Sequence, residues 1–290
     1  VRSYLKSIYL IFLILLVSVA AHAADGPSSK TSKKRETRRT SNSRLHNRNS
    51  SSFTKEAWDT LSDDYMEFYT LNRLKRMGLV FGSGAIVANT NIDEYIQKKY
   101  QTNIRSSTTD DIADVVKDFG EYKYLIPVTV AAALMDNVLE DTAYNRTVGR
   151  WGKRMMRSYL LGTPLLLTLQ PIIGASRPSE GMGSNWHPFS FDDVNGISTH
   201  AFIGAVPFLT MAGMSDDNLY LKSFFYLAST ACAWSRINDN AHYFSQASLG
   251  WYLAWESTDA ILDRENEEKN LAVSPMFLGD GYGISINMQW

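Results

Sequence analysis

Between residues 53 and 262 apolar side chains return every three or four positions, in successive segments divided by polar or Gly- and Pro-bearing breaks. That period, with almost no strand-like alternation, restricts the chain to packed helices. Ala57, Leu61, Tyr65 and Phe68 recur at near-helical spacing, residues 78–88 form a short apolar segment rich in small residues, and residues 92–100 are mixed and charged. Asp110 and Asp111 are placed to cap a helix through Ile112, Val115, Val116 and Phe119 that Gly120 ends. Residues 124–138 follow as a buried helix with Pro127 near its first turn, where a missing N–H is tolerated. A polar stretch at 140–153 precedes a long apolar run at 155–175 that carries Pro164 and Pro171. Residues 201–214, 220–233 and 247–262 are the remaining apolar helices, ahead of a charged patch at 263–269. Only residues 284–288 alternate like a strand, inside a terminal segment, 271–290, read as a tail. The expected fold class is all-α, a helical bundle over residues 53–270.

With 290 residues, 44% of them hydrophobic, the chain can bury one sizeable core. Its single cysteine, Cys232, excludes an intramolecular disulfide and a cysteine-built metal site. The apolar neighbours of Cys232 mark it as a small packing residue. Residues 1–23 read as a secretory signal peptide: Arg2 and Lys6 flank an apolar core at 8–20, and Ala21-His22-Ala23 supplies an A-x-A cleavage site. Val1, read as a literally translated GTG start codon, implies a bacterial coding sequence. The mature protein is expected to be exported to the periplasm or cell envelope.

Residues 24–52 are Ser-rich and basic, with Lys30, Lys33, Lys34, Arg35, Arg38, Arg39, Arg44 and Arg48 set against Asp25 and Glu36. So little apolar surface cannot offset the entropy of ordering, and a disordered tail is expected. It serves either as a solvated linker or as an attraction to anionic lipid headgroups that gives peripheral membrane association. The whole chain carries a formal charge of −1, and without leader and tail the core is near −9, which argues against a nucleic-acid partner. A spanning helix needs about 20 mainly apolar residues. Beyond the leader only 155–175 is long enough, so a soluble or peripheral protein is expected.

The residues that carry chemistry sit in three compact stretches. The first holds Arg177-Pro178, the second Ile197-Ser198-Thr199-His200, and the third Ser235-Arg236 followed after five residues by His242 and after three more by Gln246. A lone histidine beside apolar residues is ordinarily a core residue. Two histidines and two arginines beside helical runs point instead to a phosphoryl group gripped by guanidiniums, with imidazoles as nucleophile and acid. In order and spacing these stretches resemble the type-2 phosphatidic acid phosphatase and vanadium haloperoxidase superfamily, over about residues 110–262. That superfamily carries Lys-x6-Arg-Pro, Pro-Ser-Gly-His and Ser-Arg-x5-His-x3-Asp. The chain departs at Gln170 for lysine, Thr199 for glycine and Gln246 for aspartate.

The resemblance implies a bundle of the acid phosphatase and haloperoxidase type. It also implies a metal-independent phosphatase that hydrolyses a phosphate monoester, a lipid phosphate or another envelope-associated ester, through a phosphohistidine. His242 is then the nucleophile and His200 the general acid. Arg177, Arg236 and Ser198 hold phosphoryl oxygens, with Thr199 and Gln170 as further phosphate contacts. Gln246 accepts the nucleophile's second N–H without bringing a charge, and Asp239 compensates if the chain is helical through His242. No cofactor is implied. Vanadate would act as an inhibitor, or as the cofactor held by His242 in a haloperoxidase, an alternative that the charge missing at Gln170 disfavours. A catalytically impaired phosphate-binding or structural member of the family is the other alternative. His187 is expected in a surface loop, and residues 179–196, with Glu180, Asp192 and Asp193, are a candidate lid.

Overall fold

The structure is a computed structural model that describes residues 50–140, 142–278 and 281–288. The expected signal peptide and residues 24–49 of the expected tail lie outside them. Ser50 already belongs to α1 (Ser50–Phe68), which is followed by α2 (Leu71–Ala88), α3 (Ile92–Asn103), α4 (Ser107–Val116), a 3-10 turn (Lys117–Gly120) and α5 (Tyr122–Val138). Next come α6 (Ala143–Ile173), a 3-10 turn (Pro178–Glu180), α7 (Thr199–Ala212), α8 (Leu219–Ser229), α9 (Ala231–Asn238) and α10 (Phe244–Asn270). An antiparallel hairpin of β1 (Leu271–Leu278) and β2 (Gly281–Met288) ends the described chain. The molecule is thus mostly helical.

Helix α7 is the axis of the bundle. Every residue from Ala201 to Ala212 is buried, and α6, α8, α9 and α10 pack around it. A helix apolar on all sides has to lie inside. Two of the prolines inside these helices are balanced by specific donors. Pro207 supplies no N–H to the carbonyl of Ile203, and the hydroxyl of buried Tyr159 donates to that carbonyl at 2.9 Å. Pro164 likewise leaves the Leu160 carbonyl without its helical donor, and Tyr65 donates to it at 2.7 Å. Trp151 Nε1 donates to the Pro207 carbonyl at 3.0 Å and ties α6 to α7 a second time. Both of these freed backbone acceptors are paired across the bundle.

Several boundaries differ from the expectation. The cap of α4 is Ser106, in a capping box with Thr109, and the helix begins at Ser107 ahead of the two aspartates. The polar stretch at 140–153 mostly forms the opening turns of α6, a continuous helix of 31 residues. Directly after that stretch Arg154 and Arg157 are answered by Glu265 and Asp64 from neighbouring helices. Residues 220–233 are divided at Thr230 into α8 and α9. The segment 271–290, read as a tail, pairs from Leu271↔Met288 to Leu278↔Gly281. Only Gly279-Asp280 separates the strands, a spacing that suits a hairpin, and the lone alternating run at 284–288 did not show the partner. Among the described residues no helix is long and apolar enough to cross a membrane.

Candidate active site

The third stretch is built by the way α9 stops. The Ala241 N–H donates to the Arg236 carbonyl at 3.0 Å and the Asn240 N–H to the Ile237 carbonyl at 3.2 Å, with Asn240 left-handed at φ 56°. That is a Schellman motif, and asparagine is among the few residues that take this conformation readily. The His242 N–H also reaches the Arg236 carbonyl, at 3.1 Å, which fixes the histidine directly beyond the break. Asp239 therefore does not share a helical face with His242. Its carboxylate accepts from Arg236 Nη1 at 3.0 Å, so the compensation expected from it at the nucleophile is replaced by an ion pair with the arginine.

Gln246 sets the tautomer of His242. Its Nε2 donates to the Ser176 carbonyl at 2.8 Å, and its Oε1 accepts the Tyr243 N–H at 3.1 Å. With the amide oriented by both contacts, Oε1, 3.1 Å from His242 Nδ1, can only accept there. Nδ1 carries the proton and Nε2 keeps its lone pair. His242 is 5% exposed, and burial pushes its imidazole down to about 3, helped by the nearby Arg177, Arg236 and His200 and opposed by the Gln246 contact. Arg177, Arg236 and His200 thus all lie within electrostatic reach of His242.

Helix α7 brings the second stretch. Ser198 is its N-cap, wholly buried, with Oγ accepting the Ala201 N–H at 3.3 Å, and its own N–H donates to the Gln246 carbonyl at 3.0 Å. Gly250 permits this closeness, because a Cβ there would lie 2.3 Å from the Ser198 carbonyl oxygen. His200 stands in the first turn, its Nε2 3.1 Å from Glu121 Oε1 at the junction into α5. Thr199 Oγ1 accepts from Gln170 Nε2 at 3.0 Å, and the same nitrogen donates to the Ile197 carbonyl at 3.0 Å. Two of the three departures from the family pattern thus bond to each other. Both amide hydrogens of Gln170 are engaged in holding the second stretch, and none is left for an anion.

The first stretch leaves α6 at Gly174, left-handed at φ 56°, where a Cβ would sit 2.0 Å from the His187 carbonyl oxygen. Ala175 then bridges to Val194, its N–H donating to the Asp193 carbonyl at 2.8 Å while its own carbonyl accepts the Asn195 N–H at 3.1 Å. Arg177 Nε donates to Asn195 Oδ1 at 2.9 Å, which leaves the Nη groups of Arg177 available. The Glu180 carboxylate caps the Arg177 N–H at 2.8 Å. His187 is exposed in the following loop, which also exposes Met182 and, at 70% and 77%, Phe189 and Phe191.

Sequence reasoning missed the support beneath the turn. Asp93, wholly buried on α3, accepts the Ser245 N–H at 3.0 Å and the Ser245 hydroxyl, so it caps α10 from another helix. Gln97 donates to Asn240 Oδ1 at 2.5 Å, Tyr100 to Asn238 Oδ1 at 3.1 Å and Gln101 to the Ile237 carbonyl at 2.9 Å. The signal was present as polar residues at 93, 97 and 101, spaced four apart as on one helix face, in a segment read only as mixed and charged. Glu121 and Asn195 lie outside every motif and carried no such signal. An apolar cavity of about 490 Å3 between α2, α9 and α10, lined among others by Val80, Trp234 and Trp251, contains none of the site residues. Among the described residues no group of three or more His, Cys, Asp or Glu side chains is disposed to hold a metal ion. No known protein family, curated protein or solved structure matches the chain.

Proposed function

We propose that this protein is a phosphatase that hydrolyses phosphate monoesters through a phosphohistidine on His242. The observation that carries the reading is His242 itself: a buried, neutral imidazole with its proton held on Nδ1 by Gln246, flanked by Arg177 and Arg236. Buried with two guanidiniums in electrostatic range, such a base suits attack on an anionic electrophile. Nε2 attacks phosphorus while the P–O bond to the leaving group breaks. His200 as imidazolium gives its proton to the departing oxygen. Because Glu121 holds the Nε2 hydrogen of His200, the transferred proton is the one on Nδ1. Neutral His200 then takes a proton from water, the hydroxide attacks phosphorus, and the P–N bond breaks to release phosphate and return His242.

Arg177 and Arg236 offset charge on the phosphoryl oxygens. The Ser198 hydroxyl hydrogen and the first N–H groups of α7 supplement them at the helix N-terminus. The exposed Met182, Phe189 and Phe191, on the loop that follows Arg177, favour an ester with an apolar leaving group such as a lipid phosphate. A second reading, a phosphate-binding member without useful turnover, is favoured by the Arg236–Asp239 pair and by the engaged amide of Gln170.

The test is phosphate release from a panel of lipid and soluble monoesters, with chelator present and His242→Ala alongside. Release that persists in chelator and disappears in the variant is expected. Phosphate or vanadate binding without release by the wild type would establish the second reading, and release that the variant retains would remove His242 from the chemistry. Vanadate-dependent halide oxidation would assign the pocket to the haloperoxidase branch.

A further inference from the structure

We propose that the hydroxyl of Ser176 is a further ligand for the phosphoryl group, donating to an oxygen held between Arg177 and Arg236; the proposal rests on the phosphatase reading of the site. Ser176 is 1% exposed and its Oγ has no hydrogen-bond partner among the described residues. Native proteins seldom bury a hydroxyl in that state, because alanine would fill nearly the same space without the penalty. The residue before it, Ala175, is wholly buried and shows that the segment accepts a plain methyl group.

Three features place Ser176 beside the site. The carbonyl of Ser176 accepts Gln246 Nε2 at 2.8 Å, and the same glutamine holds His242, so a single amide separates Ser176 from the nucleophile. The next residue is Arg177. The backbone before it is pinned at Ala175 by the bridge to residues 193–195, and the Arg177 N–H after it is capped by the Glu180 carboxylate, so the hydroxyl is carried on a tied segment. A second unpartnered buried donor, Arg236 Nε, belongs to the same constellation. Two orphaned donors and the available Nη groups of Arg177 call for one acceptor with several lone pairs and negative charge. A tetrahedral oxyanion meets that description, and a cation or a neutral apolar group does not.

The assignment also accounts for the altered position 170. Where the family lysine would contribute a charged donor, Gln170 is engaged with Ile197 and Thr199. Ser176 restores a donor without restoring a charge. A neutral donor leaves the nucleophile more basic than a third cation would, in a pocket where burial and two arginines already suppress protonation of His242.

The experiment compares the wild-type chain with Ser176→Ala by calorimetric titration of inorganic phosphate and orthovanadate, and by thermal unfolding with and without phosphate. The expected result is affinity roughly tenfold weaker in Ser176→Ala. Without anion its Tm should equal or exceed that of the wild type, since an unsatisfied buried group has been removed. Equal affinity in the two proteins would overturn the role of Ser176 and leave the site reading standing. A lower Tm without anion would assign the hydroxyl a structural role and overturn the proposal as well. If the wild type binds neither anion, the reading of the whole site falls, and this inference with it.

Discussion

At the scale of single residues, the site depends on which atom of which side chain faces the imidazole. A carboxylate beside Nδ1 would stabilise the imidazolium, whereas Gln246 supplies only an amide oxygen, which does not offset the burial that pushes His242 down to about 3. Replacing Gln246→Asp brings the missing charge to that position. We expect His242 in the variant to titrate roughly 1–3 pH units higher, read from its imidazole proton shifts by NMR; an unchanged titration would mean that the glutamine is not what tunes the base. The identities of His242, His200, Arg177 and Arg236 were legible as motif letters. Asp239 was misplaced because its direction depends on the Schellman turn at Asn240, and a string of letters does not reveal where the helix stops.

At the scale of elements, the prolines show how the bundle tolerates breaks in its own helices. Tyr159→Phe leaves the buried Ile203 carbonyl without a donor and should cost about 1–3 kcal/mol. Pro207→Ala returns a backbone N–H to that carbonyl, so the tyrosine substitution should cost much less in the Pro207→Ala background. A double-mutant cycle by urea unfolding measures the difference, and additive losses would contradict the pairing. The sequence located these helices from the apolar period and placed Pro164 and Pro171 within one of them. It did not show that Tyr65 and Tyr159 answer prolines, since each pairing joins helices far apart in the chain. Helix α3 illustrates the same limit: its Asp93, one charge in a segment read only as mixed and charged, caps α10 at a separation of 152 residues.

At the scale of the whole molecule, burial of a neutral histidine makes stability depend on pH. His242 binds its proton near 3 when folded and near 6.5 when unfolded, so between those values the unfolded chain holds more protons. Stability from this residue is therefore complete above pH 6.5 and declines as pH falls through the window, by about 2 kcal/mol at pH 5. His242→Asn removes the titrating group. Scanning calorimetry from pH 7 to 5 should show the wild-type Tm falling more steeply than that of the variant, and parallel slopes would refute the assignment. The formal charge near −9 on the core is compatible with an anion site because Arg177 and Arg236 set two guanidiniums within electrostatic reach of His242, and local charge rather than the net balance governs such a site.

By itself the sequence determined that the chain is helical, that residues 201–214 form one of its apolar helices, and that two arginines and two histidines follow in a set order. Those properties reside in local period, composition and spacing, which the backbone converts into faces and turns without reference to distant partners. Only the tertiary structure decided that Gln170 bonds to Thr199 rather than to an anion, that Glu121 holds His200 across 79 residues, and that Asp239 closes on Arg236. The physical reason is that a polar side chain is satisfied by whichever donor or acceptor packing brings within about 3 Å. Contacts of that kind are set by how helices cross, and the apolar period fixes which faces meet but not which polar atoms then face one another.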